Sequence, residues 1–179
     1  MRDLSEHIMD IIQNSVRANA TLVELEIIED VKNDSYTLIF KDNGCGMSEE
    51  VLAKVADPFF TSRTTRKVGL GISLLKQNAE QTGGSLNIWS KKGEGTGLEV
   101  VFSHSNIDRP VLGNIAETIM LLVGANPDMD FLYKHTTAQG EYVFDTKEVK
   151  EVLEGISLSD PNILVYIKEM INENVSTII

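Results

Sequence analysis

What most limits the architecture open to this chain is that its apolar residues switch from helical to alternating spacing, and do so twice, in about the first hundred residues. In residues 3–19, Leu4, Ile8, Ile11 and Ile12 recur at helical spacing while Asp3, His7, Asp10, Asn14 and Arg17 form a second, polar stripe. One helix with a core side and a chemical side is predicted. Val23, Leu25 and Ile27 then alternate with Glu24 and Glu26, and Tyr36, Leu38 and Phe40 with Thr37 and Ile39, predicting paired strands that turn at Lys32-Asn33-Asp34. After DNGCGM at 42–47 comes a predicted short helix near 49–55, then a polar stretch, 61–67, expected to be mobile. Leu70, Leu74, Leu75 and Ala79 predict a second helix stopped by Gly83-Gly84. Leu86 and Ile88, followed by Leu98, Val100 and Phe102, predict a closing hairpin across KKGEGTG, so that a first module ends near 104.

Composition narrows the functions. With 179 residues, 42% of them hydrophobic, and only four Pro, the chain can bury one good core with a small appendage. Its 27 acidic and 16 basic residues leave a net charge of −11, and no run of Lys or Arg offsets it, which argues against a general nucleic-acid surface. The lone Cys45 allows neither an internal disulfide nor a cysteine metal cluster, and no leader or membrane-length apolar run is readable; a cytoplasmic protein is expected. Residues 105–179 hold 12 acidic and 5 basic residues, a predicted helix at 111–123, a hairpin at 130–145 around Gln139-Gly140, and helices near 146–154 and 161–174. They are expected to be a docking or packing appendage.

Four segments carry chemistry. Asp10 and Asn14 stand one helical turn apart and share a face, so they can share one ligand: Asn14 offers an oxygen suited to Mg²⁺, and Asp10 can orient or deprotonate a water. In Asp42-Asn43-Gly44-Cys45-Gly46-Met47, directly after a strand, glycines admit a planar ligand and the carboxylate accepts from an exocyclic amine such as that of adenine. The stretch from Asp57 to Ser73 joins Arg63, Arg66 and Lys67 to Gly69-Leu70-Gly71 at a helix start, where free amides and the dipole favour phosphate. In Gly93-Glu-Gly95-Thr96-Gly97, the Thr96 hydroxyl can reach a base edge directly or through water. Each segment alone also fits a plainer reading: a solvated helix face, an acidic turn, a basic loop, a hairpin turn. Phe59-Phe60 suits a core and Cys45 a small packed residue.

In order and spacing the four segments resemble the N, G1, F, G2 and closing GxGT boxes of the GHKL superfamily, which unites gyrase, a heat-shock chaperone, histidine kinases and MutL-type repair proteins. The resemblance covers about residues 4–102: IMDIIQNSVRANATLVELEI is similar to the MutL form, and DPFFTSRTTRKVGLGISLLKQNAEQTGGSLNIWSKKGEGT to the histidine-kinase form. It implies the Bergerat fold, a two-layer α/β sandwich, for residues 1–104, with a small α+β C-terminal extension at 105–179. It also implies Asn14 as Mg²⁺ ligand, Asp42 as adenine partner and Gly46 as a wall of the base pocket. Gly44, Met47, Arg63, Lys67 and Leu70 would line the nucleotide site, with Gly69 and Gly71 on phosphate and Thr96 as a second base contact. Asp10 takes the place of the family's catalytic Glu and is shorter, which bears on hydrolysis and spares binding; Val68 stands where many relatives have a glycine.

A sensor kinase would need a phosphoacceptor His module ahead of the N box, for which no room is expected here; His7, His104 and His135 are expected to be surface or packing residues. The resemblance therefore implies an ATP- and Mg²⁺-binding regulatory protein, similar to anti-sigma-factor serine kinases. Phosphotransfer to a protein partner, met through the C-terminal extension, or slow ATP hydrolysis would be its activity as a kinase-like transferase or ATPase. The alternative is a catalytically silent ATP-sensing subunit of a larger enzyme complex, redox complexes included. A homodimer, and no nucleic-acid or membrane partner, are further expectations.

Overall fold

The computed structural model describes residues 3–55 and 68–179. Helix α1, Leu4–Arg17, is opened by Asp3, whose side chain accepts from the Glu6 amide at 3.0 Å, and it buries Leu4, Ile8, Ile11 and Ile12. Strands β1, Leu22–Asp30, and β2, Ser35–Asp42, pair antiparallel; helix α2, Glu49–Val55, and helix α3, Val68–Gln81, follow. Strands β3, Ser85–Lys91, and β4, Gly95–Ser103, form the second antiparallel hairpin. The rest comprises α4, Ile115–Ala125, the hairpin β5, Asp130–Thr137, with β6, Gly140–Asp145, and helices α5, Thr146–Leu153, and α6, Pro161–Ser176.

All six strands join one mixed sheet in the order β3-β4-β2-β1-β5-β6. Strict alternation sends Val23, Leu25 and Ile27, Tyr36, Leu38 and Phe40, Leu98, Val100 and Phe102, and Phe131 and Tyr133 to one buried face. Helix α1 lies between α3 and α4, and α4 packs on α6, roofing that face in an α/β sandwich. Ile8 is fully buried in this layer, and truncating it to Ala would cost roughly 2–5 kcal/mol. Strand β5 runs parallel to β1 from Leu22↔Asp130 to Ile28↔Thr136, so residues beyond 104 extend the same sheet and share its core.

A polar stitch reinforces that junction. His135, fully buried, sits with Nε2 2.8 Å from Glu29 Oε1 and Nδ1 2.8 Å from the Tyr133 hydroxyl, and His104 Nε2 lies 3.6 Å from the other Glu29 oxygen. The His135 hydrogen bond holds the Glu29 carboxyl below its ordinary range, against the opposing effect of burial. Helix α4 begins at Ile115, not 111. Residues 111 and 112 are not helical: the Val111 and Leu112 carbonyls take the amides of Leu4 and Ser5 at the start of α1, and Asn114 caps α4. The expected mobile stretch at 61–67, and Phe59-Phe60, lie outside the described residues.

Candidate functional site

Alternation also builds the site. Asp42 shares the inward parity of Tyr36, Leu38 and Phe40, and it pairs in register with Thr96, which pairs with Ser90 of β3. One row inward, Phe40, Leu98 and Ile88 are likewise in register. A polar row thus borders an apolar floor at the end of three adjacent strands. Above them, Ile11, Asn14, Ser15 and Ala18 project from a single face of α1, and Met47, Val55 and Ile72 complete a cavity of about 160 Å³. That is below the ~300 Å³ of an ordinary small-molecule pocket.

The loop after β2 is fixed to α1 through its backbone. Cys45 N–H donates to the Ala18 carbonyl at 2.9 Å, and the Asn43 side chain accepts from the Thr21 and Leu22 amides at 2.8 and 2.9 Å. Asn43 therefore shapes the loop and does not face the cavity. Gly46 has φ +66, and a Cβ there would stand 2.1 Å from the Lys91 carbonyl oxygen, so only glycine fits this wall. The Asp42 carboxylate accepts from the Ser15 hydroxyl at 2.6 Å and from the Gly44 amide at 2.9 Å. Ser90 Oγ accepts from the Met47 amide, donates to the Gly95 carbonyl and touches the Thr96 hydroxyl, each at 2.8 Å.

Asp10 is not part of the cavity wall. It lines a neighbouring cleft with Asp3, Glu6, Asn114 and Glu117. A Cβ on Gly71 would come within 2.9 Å of its Oδ2, so the first turn of α3 rests on this carboxylate. His7, one turn earlier on α1, is buried under α3, with Nε2 3.1 Å from Asn78 Nδ2, and burial pulls its pKa below the ordinary 6.5. The supposed chemical stripe is thus partly roofed. Asn14 Oδ1 accepts from Arg17 at 3.3 Å, a long bond to a side chain on its own helix.

Of the residues expected from sequence, Asn14, Asp42, Gly46, Met47 and Thr96 meet at one cavity. Gly44 stands behind it, with room for a Cβ denied by Ala18 at 2.8 Å. The backbone of Gly69, Leu70 and Gly71 forms the first turn of α3, and Arg63 and Lys67 lie outside the described residues. Two placements differ from expectation. Thr96 belongs to strand β4 and not to the turn, because its pairing with Asp42 extends the ladder. Cys45 is exposed and borders the cavity instead of being packed, because its amide is tied to α1 while its side chain points away from the core. Ser15 and Ser90 were missed, though each is a polar residue on an otherwise apolar stripe: Ile8, Ile11, Ser15 and Leu86, Ile88, Ser90.

An α/β sandwich with a base-sized cavity between its first helix and the ends of β2, β3 and β4 defines a nucleotide-binding class of domain. The profile of the family described as histidine kinase-, DNA gyrase B- and HSP90-like ATPase matches residues 2–106, and the chain belongs to this family. A Shewanella frigidimarina protein described as a sensor is 32% identical over 109 residues, covering 60% of this chain and 17% of the relative. The sensor histidine kinase YkoH of Bacillus subtilis is 29% identical over 101 residues, covering 54% of this chain and 22% of the relative. The chain thus spans less than a quarter of the length of these relatives. The ADP-bound ATPase domain of Aquifex aeolicus MutL is similar in fold, with a TM-score of 0.51 at 19% identity over 86% of this chain and 70% of that one. The N-terminal domain of a DNA repair protein gives 0.55 at 16%, over 80% and 52%. Among the described residues no helix is long and apolar enough to cross a membrane.

Proposed function

We propose that the chain binds ATP together with Mg²⁺ and acts as a regulatory protein, its nucleotide state read by a protein partner. The observation that carries this is the meeting of Asp42, Thr96 and Asn14 at a cavity floored by Phe40, Leu98 and Ile88. The apolar floor takes the faces of adenine, and Asp42 accepts from its exocyclic amine, a charged hydrogen bond. The triphosphate would leave toward the first turn of α3, since the amides at a helix start favour anions, with Gly69 and Gly71 allowing close approach. Arg63 and Lys67 would add charge there.

The donor set fits a divalent ion only in company. Among the described residues no group of three or more His, Cys, Asp or Glu side chains can hold a metal. Asn14 offers one neutral oxygen beside Asp10, which suits Mg²⁺, an ion usually held by one or two protein groups plus phosphate oxygens and water. When bound it would neutralise phosphate charge. Asp10 would accept a proton from a water or an acceptor hydroxyl near the terminal phosphate, giving slow hydrolysis or phosphotransfer to a partner engaged by residues 105–179. A silent sensing subunit is the second reading, favoured by the position of Asp10 outside the cavity on a short side chain.

Titration calorimetry with ATP, with and without Mg²⁺, tests the binding. Asn14→Ala should remove the Mg²⁺-dependent part of the affinity and leave the metal-free part; identical curves for variant and parent would overturn the assignment. Label released or transferred from γ-labelled ATP supports the active reading, and saturable binding without turnover supports the silent one.

A further inference from the structure

We propose that His7 is a proton-sensitive joint between α1 and α3, so that proton binding at this one imidazole and nucleotide binding at the neighbouring cavity oppose each other. This rests on the nucleotide-binding reading above and adds to it a form of regulation carried by a residue outside the cavity.

One face of α3 ties His7 to the site. Asn78 meets the imidazole, its Nδ2 3.1 Å from Nε2, and Gly71 lies against Asp10, where an added Cβ would stand 2.9 Å from Oδ2. Between them in sequence, Ile72 forms part of the cavity wall and Leu75 is fully buried. The helix whose first turn would face the phosphates is thus seated on α1 through Gly71, Ile72, Leu75 and Asn78, with His7 under one end of that row.

The seat accepts a neutral imidazole and not a charged one. His7 is 1% exposed, and its Nδ1 is a buried polar atom with no hydrogen-bond partner among the described residues. Whichever tautomer the neutral ring adopts, the imidazolium carries an N–H on both nitrogens, so protonation always puts a charged donor at Nδ1 where nothing accepts it. Burial, reinforced by the chain's amino group, outweighs the pull of Asp10, Glu6 and Asp3 on its own helix and holds the pKa below the ordinary 6.5. From α3 comes the uncharged Asn78, while Lys76 and Glu80 pair with each other at 3.9 Å among exposed side chains. On α4, the other helix beside α1, Glu117 is engaged by Lys168 at 3.6 Å and by Asn114 at 2.8 Å. Asp42, from the sheet beneath, is held at Ser15, two turns further along α1. Among the described residues neither neighbouring helix gives His7 a counter-ion.

Acid therefore favours an arrangement in which His7 reaches water, which requires α3 to lift from α1, and lifting α3 takes Ile72 from the cavity and Gly71 from Asp10. A nucleotide favours the seated arrangement. Ligands that bind opposite states of one element weaken each other by the same factor. Above 6.5 neither state holds the proton and there is no coupling; below it the lifted state takes the proton first, so ATP affinity falls with pH, by at most about tenfold per pH unit.

Calorimetric titrations of the full chain with ATP, from about pH 7.5 to about pH 5.5, compare the parent with His7→Phe, His7→Gln and Asn78→Asp. ATP takes up protons in the same range, so the readout is the ratio of parent to variant Kd at each pH, in which the protons of the ligand cancel. Across that range the parent should lose about tenfold more affinity than His7→Phe or His7→Gln, neither of which can take the proton. Asn78→Asp places a carboxylate at Nε2, so the imidazolium gains a partner inside the seat and the acid loss should shrink although His7 is still present. A parent and His7 variants that weaken in parallel, or an Asn78→Asp variant as acid-sensitive as the parent, would overturn the proposal and leave nucleotide binding standing. A parent that binds no ATP at the upper end of the range would overturn both.

Discussion

Replacing Asp42 by Asn tests how the cavity recognises its ligand while disturbing the fold very little. In the structure the carboxylate accepts once at each oxygen, from the Gly44 amide at 2.9 Å and the Ser15 hydroxyl at 2.6 Å. The Asn carboxamide can keep both. Its oxygen takes the Gly44 amide, and its amino group donates to Ser15 Oγ once that hydroxyl rotates, so the stability cost should stay within about 1 kcal/mol. The ligand loses more: a hydrogen bond to a charged acceptor is worth about 1.5–3 kcal/mol, and at about 1.4 kcal/mol per decade that weakens ATP about 10- to 150-fold. Asp42→Ala should differ, because it leaves the Gly44 amide without its acceptor and adds a stability loss of about 1–3 kcal/mol. Calorimetric Kd values for ATP and urea midpoints for both variants check this. An ATP affinity in Asp42→Asn within threefold of the parent would refute the reasoning, as would a urea midpoint that falls as far as in Asp42→Ala.

Acidification should lower stability in two steps. Burial depresses the His7 pKa below 6.5, so the unfolded chain binds the extra proton and stability falls as pH drops below that value, by at most about 1.4 kcal/mol per pH unit for one proton; urea midpoints against pH should lose this step in His7→Phe, and an unchanged slope would contradict it. Glu29 is held below its ordinary 4.5 chiefly by His135, so its contribution is present above that pH and is lost as pH falls through the lowered value. Glu29→Gln should flatten the second step. A fragment ending at residue 104 would lose the β5 partner of β1 and the α4 partner of α1, uncovering the edge at Leu22–Ile28. It should show no cooperative urea transition by circular dichroism; a transition with the parent's midpoint would establish residues 1–104 as an independent unit.

Those expectations separate what the sequence carried from what it could not. Periodicity placed both early hairpins and α1 and α3, because each element buries one face and the spacing of that face is local information. Asp42 and Thr96 were legible only through their resemblance to the family's boxes, as a loop and a turn residue, and the ladder that pairs them puts both on strands, on the side that buries Phe40 and Leu98. Residues whose meaning depends on a distant neighbour were not. His7 sits on the polar stripe of α1, and only the docking of α3, through Asn78, turns it inward. The parallel pairing of β5 with β1 joins residues 22–28 to 130–136, and nothing in either segment names the other. His135 was expected to be a surface or packing residue, and the Glu29 carboxylate that gives it a buried partner comes from 106 positions away.

Ser15 and Ser90 show where a local signal existed and lacked a rule to interpret it. A polar side chain on an apolar stripe must find a partner or bear the cost of burial, so each serine implies an acceptor or donor across the core. Identifying that partner needed the register Asp42↔Thr96 and Ser90↔Thr96, which three strands set jointly. Once the register is fixed Ser90 Oγ lies 2.8 Å from the Met47 amide, the Gly95 carbonyl and the Thr96 hydroxyl alike, so one serine ties the loop after β2 to both strands of the closing hairpin. The polar rim of the cavity is therefore a property of the sheet ladder as much as of the residues that would touch a nucleotide, and a substitution that shifts β3 against β4 by one residue should weaken ATP binding while leaving Asp42 untouched.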